Sequence, residues 1–115
     1  MRKPFFVILI ILFLFGCSKH KVETPDGVLS HDEMVRVLID VHILEAKVKK
    51  LYLPRDSSQV VYHHYEKMLF KDLGIDRTEY IKSMEFYVDE IEELKTIYDE
   101  IVDSLLSRQK TNYIN

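Results

Sequence analysis

The sequence predicts a small all-α domain of three to four helices, which follows an amino-terminal apolar segment and a short tether. Apolar residues recur at spacings of three and four in the segments after residue 30, as expected for amphipathic helices. Ser, Asp and Gly stand where these segments begin or end, and such residues favour helix caps. The chain contains only three Pro and three Gly, and it has no strand alternation, repeat or low-complexity tract. Together these observations favour a helical bundle.

The first sixteen residues are typical of an export signal. Arg2 and Lys3 precede an unbroken apolar run over residues 5–15, and the small residue Gly16 follows it. A membrane-spanning helix needs roughly 20 apolar residues, so this run is too short to be one. We therefore assign residues 1–16 to a signal peptide and exclude them from the folded domain.

Cys17 is the only cysteine of the chain and follows the signal directly. The stretch "LFGC", residues 14–17, resembles the bacterial lipobox. That resemblance implies that a diacylglycerol is attached to the Cys17 thiol, that cleavage occurs just before it, and that the new amino end is acylated. An ordinary secretory signal with a stray cysteine, or a short buried segment, is the alternative. A lone cysteine cannot form an internal disulfide.

The charge of the remaining chain argues against some partners. Without Arg2 and Lys3, residues 17–115 carry 14 basic and 19 acidic residues. This acidic balance disfavours binding to nucleic acid and electrostatic binding to anionic lipid. Three acyl chains would hold the protein firmly, because each buried CH₂ contributes about 0.8 kcal/mol.

The residues after Cys17 predict a location in the cell envelope. Ser18 follows the cysteine, where many inner-membrane lipoproteins have Asp, and no acidic run follows. By resemblance to those sorting rules, we expect the periplasmic face of the outer membrane. Residues 17–27 are polar and read as a flexible tether, so the helical domain is expected over residues 28–108.

The first helix is predicted to begin after Ser30 and to end near Lys50. Ser30 and Glu33 form the pattern of a capping box. Apolar residues cover most of this helix, which indicates that it is the central helix of the domain.

The second helix is predicted to extend from a cap at Asp56 or Ser57 to Leu73, with Gly74 as its left-handed C-terminal cap. His63 and Glu66 are expected in solvent. Its inner face is predicted to consist of Val61, His64, Tyr65, Met68 and Leu69.

The last part of the chain is predicted to be helical from Arg77, with Asp76 as the N-cap. Apolar residues continue at helical spacing to Leu105, and we expect a break near Asp89. Residues 109–115 are predicted to form a disordered tail.

Two polar residues on the first helix are the main candidates for a site. At about 100° per residue, His42 and Glu45 share the apolar side, whereas Asp40 points away toward Arg36 and Lys47. The first interpretation is a structural hydrogen-bonded pair of His42 and Glu45. The alternative is a metal site of His42, Glu45 and His64, since these ligand types suit zinc. His63 could serve as the third ligand instead of His64.

No pattern indicates catalysis. Ser30, Ser57 and Ser58 are better explained as helix caps, and Ser83 can bond back to its own helix. No glycine-rich phosphate loop is present. We therefore expect no enzyme activity, no small-molecule substrate and no cofactor apart from the lipid on Cys17.

Residues spread from position 25 to position 98 form a pattern that covers nearly the whole domain. They are Pro25, Gly27, Val28, Leu29, Met34, Leu38, Asp40, His42, Glu45, Ala46, Gly74, Ile75, Tyr80, Ser83, Tyr87, Ile97 and Tyr98. In this pattern the sequence resembles an uncharacterised lipoprotein family of Bacteroidota, the domain of unknown function numbered 4296. The resemblance implies a helical envelope lipoprotein and carries no established activity.

Two functions of different classes follow from these expectations. The first is an accessory subunit that binds one envelope protein through a compact surface patch with a polar rim. The second is a chaperone-like holdase, which would expose an apolar groove rich in Met or aromatic side chains. A metal-binding helical domain is a third alternative.

Overall fold

The computed structural model describes residues 22–114 and shows four helices, which confirms the predicted all-α fold. We number them α1 (His31–Lys49), α2 (Arg55–Leu73), α3 (Arg77–Asp89) and α4 (Ile91–Ile114). Within residues 22–114, no helix is both long and apolar enough to cross a membrane.

Helix α1 is the centre of the bundle, as its apolar surface predicts. It packs against α2 on one side and α4 on the other. Its start is the predicted capping box: Ser30 accepts from the Glu33 amide, and the Glu33 carboxylate accepts from the Ser30 amide. The Ser30 bonds hold the pKa of Glu33 below its ordinary value. The buried residues of α1 are Met34, Val37, Leu38, Ile39, Val41 and Val48.

Helix α2 begins earlier than predicted, and the predicted side-chain cap at Asp56 or Ser57 is wrong. Its N-cap is Pro54, which makes no side-chain capping bond, and the Pro54 carbonyl accepts from the Ser58 amide at 2.8 Å. Proline fixes its own φ and has no amide hydrogen, so it can start a helix without a side-chain cap. The predicted left-handed cap at Gly74 is confirmed, with φ of 69°.

The inner face of α2 differs from the prediction by about one residue. Tyr65 and Met68 are half exposed, whereas Phe70 is buried in the core and Glu66 is buried as well. The prediction placed Glu66 in solvent because no partner for its charge is evident within the same helix pattern. Phe70 and the ion pair of Glu66 with α3 set the actual rotation of the helix.

The predicted break between α3 and α4 is present at Glu90, which has φ −102° and ψ 67°. Helix α3 starts at Arg77, where Asp76 accepts from the Thr78 amide. The end of α4 differs from the expectation, because the helix continues to Ile114 through residues 109–114, which were expected to be a disordered tail. No Pro or Gly interrupts this stretch, so the sequence offers no strong stop signal.

The segment before α1 is fastened to α3 by two buried hydrogen bonds. The Leu29 amide donates to Ser83 Oγ, and Tyr87 Oη donates to the Leu29 carbonyl, each at 2.8 Å. Ser83 Oγ also donates to the Glu79 carbonyl at 2.6 Å, the back-bond that the sequence suggested. Ser83 and Tyr87 lie one helical turn apart and are both buried, so they hold both backbone groups of one residue.

A turn leads into this fastened segment. The Val28 amide donates to the Pro25 carbonyl, and Gly27 has φ of 78°, a conformation that glycine adopts without strain. Lys82 Nζ donates to the Asp26 carbonyl at 2.8 Å. Residues 26 and 27, the last two residues of the predicted tether, are therefore held against α3.

Replacing Tyr87 with Phe should lower the free energy of unfolding by about 1–3 kcal/mol, because it leaves the buried Leu29 carbonyl without a partner. Chemical denaturation of the variant and of the wild-type protein measures the difference. Tyr113→Phe is the matched control, since Tyr113 is exposed, and it should change stability by less than about 0.5 kcal/mol. Equal stability of Tyr87→Phe and wild type would contradict the role of this bond.

Candidate functional site

Of the residues that the sequence singled out, Cys17 lies outside the described residues. His42 and Glu45 face each other across one turn of α1, and His42 Nδ1 lies 3.3 Å from Glu45 Oε2. Both side chains are partly exposed. Asp40 lies in a groove with Lys47 on another side of α1.

His42 has one ring nitrogen without a partner. Its Nε2 atom is buried and makes no hydrogen bond. The ring lies against Tyr98 of α4, with 5.9 Å between the ring centroids. Burying a polar atom without a hydrogen bond costs free energy, and His42 Nε2 is such an atom.

The alternative metal site is not assembled. His64 is exposed and its ring packs edge-on against Tyr65, while His63 Nδ1 lies 3.5 Å from Glu66 Oε1. The structure thus does not bring His42, Glu45 and His64 together as ligands. Within residues 22–114, no group of three or more His, Cys, Asp or Glu side chains is arranged to hold a metal ion.

Among residues 22–114, Glu66 is a buried charged residue, and it is surrounded by polar groups. It is only 8% exposed, and Arg77 Nε of α3 lies 3.3 Å from its Oε1 atom. His63 contacts the same oxygen, and Tyr62 lies close enough to Glu66 for the carboxylate to raise the pKa of the phenol. A buried carboxylate requires such partners, because its desolvation costs several kcal/mol. Glu66 therefore fastens α2 to the start of α3.

Two tyrosines next to Glu66 remain protonated well above neutral pH. Burial and the nearby carboxylate of Glu66 raise the pKa of Tyr62 far above the usual range. Burial raises the pKa of Tyr80 to about 12, with further contributions from Glu66, Tyr98 and Glu45. Such phenols act as hydrogen-bond donors at neutral pH, and they are poor nucleophiles or general bases.

Two grooves flank this polar cluster, which we define as His42, Glu45, Tyr62, Glu66 and Tyr80. One groove, of about 460 Å³, lies between α1 and α2. The other, of about 500 Å³, follows α2 to the start of α3. The cluster supplies hydrogen-bond donors and acceptors to their edges.

A third groove, of about 350 Å³, lies on the other side of the contact between α1 and α2. We reserve the name α1–α2 groove for this third groove, although the first groove also lies between α1 and α2. Its apolar lining includes Ile43, Leu44 and Leu69. The half-exposed side chains of Tyr65 and Met68 also line it. Its charged margin consists of Asp40, Lys47 and Asp72. An apolar centre with a polar rim is typical of a protein–protein contact surface.

His31, the first residue of α1, connects two carboxylates of α4. Its Nδ1 atom lies 2.5 Å from Glu93 Oε1, and its Nε2 atom lies 3.2 Å from Glu100 Oε1. Both ring nitrogens of His31 thus lie within hydrogen-bonding distance of a carboxylate oxygen of α4. This arrangement fastens the start of α1 to α4.

The sequence analysis missed three of these features: the His31 bridge, the burial of Glu66 and the role of Ser83 and Tyr87 at Leu29. A signal for the bridge exists, since Glu93 and Glu100 are seven residues apart and so share one face of their helix. No comparable signal exists for Glu66, because its partner Arg77 belongs to another helix.

Comparison with known proteins identifies the family. A family described as "Domain of unknown function (DUF4296)" matches residues 25–111. The chain belongs to this family, and the match begins at Pro25, where the turn that leads into the fastened segment starts. No curated protein and no solved structure matches the chain.

The buried tyrosines predict a loss of stability at alkaline pH. Because the folded-state pKa of Tyr80 is raised from 10.0 to about 12, its contribution is intact below pH 10 and is lost as the pH rises through 12. Tyr80→Phe should therefore lose less stability between pH 10 and pH 12 than the wild-type protein does. Denaturation at a series of pH values, with tyrosinate absorbance followed in parallel, measures this.

Tyr113→Phe is the control, because it removes an exposed tyrosine and leaves Tyr80 in place. It should show the wild-type loss of stability. A Tyr80→Phe variant with an unchanged alkaline profile would contradict the assignment to Tyr80.

Proposed function

We propose that this member of the DUF4296 family is a lipid-anchored, non-catalytic accessory subunit of an envelope complex. The lipobox-like stretch before Cys17 supports the anchor, and the residues after Cys17 favour the periplasmic face of the outer membrane. The only prosthetic group in this proposal is the covalent lipid on Cys17.

The α1–α2 groove is the observation that carries the proposed interaction. Tyr65 and Met68 stay half exposed on a helix whose other face supplies the core, so they are available to a partner. The groove is small and has charged residues of both signs at its margin. These properties fit one specific partner protein, whose apolar side chain enters the groove while polar groups meet Asp40, Lys47 and Asp72.

A holdase for unfolded envelope proteins is the second candidate. It is favoured by the large apolar side chains that are exposed on every helix outside α1, such as Val60 on α2, Val88 on α3 and Val102 on α4. A holdase would use this dispersed surface to bind many clients. The charged margin of the α1–α2 groove favours the accessory subunit.

Replacing Cys17 with Ala should release or mislocalise the protein, because the thiol that would carry the diacylglycerol is removed. We expect loss of incorporated labelled palmitate and loss of the protein from the outer-membrane fraction. Ser18→Ala is the matched control and should keep both. A Cys17→Ala protein that stays in the outer-membrane fraction would contradict the lipid anchor.

A photo-reactive amino acid in place of Met68 should capture a single dominant partner in living cells. The same amino acid in place of Val60, which is exposed on the same helix and lies outside the α1–α2 groove, is the control and should capture little. Mass spectrometry of the captured protein identifies the complex.

A second substitution tests whether the groove supplies the affinity. Tyr65→Ala should lower capture at position 68 by about tenfold or more, since a buried aromatic contact contributes about 2 kcal/mol or more at an interface centre. Tyr52→Ala removes an exposed tyrosine from the loop between α1 and α2 and should leave capture unchanged. Many captured proteins at both positions would favour the holdase, and no capture at position 68 would contradict both candidates.

A further inference from the structure

Helix α4 exposes a line of large apolar side chains along its whole length. Ile91, Tyr98, Val102, Leu106 and Tyr113 are 68%, 37%, 52%, 50% and 82% exposed. At about 100° per residue, all five lie within an arc of about 80° on the helix. We call this line the α4 stripe. The stripe lies next to the core-facing side of α4. The whole apolar surface of the helix is therefore about twice as wide as the part that the other helices cover.

The α4 stripe is symmetric about Val102. Tyr98 and Leu106 each lie four residues from Val102, and Ile91 and Tyr113 each lie eleven residues from it. Reversing the direction of the helix therefore leaves the pattern unchanged. Two α4 helices that lie antiparallel, with a two-fold axis through Val102, place Tyr98 opposite Leu106 and Ile91 opposite Tyr113 of the second copy.

The charges of α4 change sign along the same helix. Residues 91–103 contain five acidic residues and one basic residue, whereas residues 104–114 contain Arg108 and Lys110 and no acidic residue. Glu93 and Glu100 contact His31 of their own chain, which leaves the exposed Glu92, Asp99 and Asp103 available to a second copy. An antiparallel arrangement brings the basic half of each helix to these acidic residues of the other. A parallel arrangement would bring like charges together, which costs free energy.

We propose that two copies of this chain associate through α4, antiparallel, with a two-fold axis through Val102. Two-fold pairing requires one surface that is complementary to itself, and the symmetric stripe and the reversed charges provide that. A helix of this length is about 36 Å long, so the contact is a narrow seam rather than a broad interface. The α4 stripe does not include the α1–α2 groove, so the dimer leaves that groove free for a partner.

Two exposed polar residues provide a test of direction. Lys95 and Gln109 each lie seven residues from Val102, on the same arc as the stripe. In the antiparallel pair, residue 95 of one copy lies opposite residue 109 of the other. The two copies of residue 95 are then about 21 Å apart along the axis, which is far beyond the Cα separation of about 7 Å that a disulfide tolerates.

The experiment co-expresses full-length chains that carry Lys95→Cys or Gln109→Cys with different tags, followed by mild oxidation. We expect a disulfide between the two different chains, and no disulfide dimer from either variant alone. Disulfide dimers of each variant with itself would show parallel pairing and overturn the proposal. The absence of any disulfide, with both thiols open to a maleimide, would also overturn it.

A control and a second variant complete the test. The wild-type chain, which has Cys17 as its only cysteine, reports any disulfide that Cys17 forms. Val102→Glu places two like charges at the axis and should change the particle mass in light scattering from that of a dimer to that of a monomer. Val102 is half exposed, so the helical circular dichroism should be retained. A dimer that persists in Val102→Glu would contradict the position of the axis.

Discussion

The structure depends on how the chain enters its central helix. Both backbone groups of Leu29 are buried, and a buried amide or carbonyl without a hydrogen bond costs free energy. Ser83 and Tyr87 satisfy both groups from one face of α3. Because α1 begins two residues later, this attachment fixes the start of α1 relative to α3. The direction of α1 in turn determines where α2 and α4 can pack against it.

Polar and charged side chains make further connections between helices, in addition to the apolar core. Arg77 meets the buried Glu66 and joins α3 to α2, while His31 meets Glu93 and Glu100 and joins α1 to α4. Each of these contacts joins two different helices. A buried charge needs nearby partners, and here at least one partner of each pair comes from another helix. These pairs therefore favour one arrangement of the bundle over others of similar apolar burial.

The outer surface follows from the limits of a small core. A bundle of four helices buries one side of each outer helix, and the apolar residues beyond that side stay exposed. On α2 these residues stand over the α1–α2 groove, and on α4 they form the α4 stripe. The two surfaces differ in kind: the groove has a mixed polar rim, whereas the stripe is symmetric along its helix. Because of this difference, we propose a partner protein for the groove and a second copy of the chain for the stripe.

The sequence by itself determined the all-α fold, the central position of α1, the capping box at Ser30, the cap at Gly74 and the break near Asp89. These features depend on residues that are close in the chain, so local patterns are sufficient to predict them. The tertiary structure alone decided the rotation of α2, the burial of Glu66, the attachment of Leu29 and the separation of His64 from His42 and Glu45. Each of these depends on a partner from another helix. Local periodicity contains no information about that partner, because it relates only residues of one helix to one another.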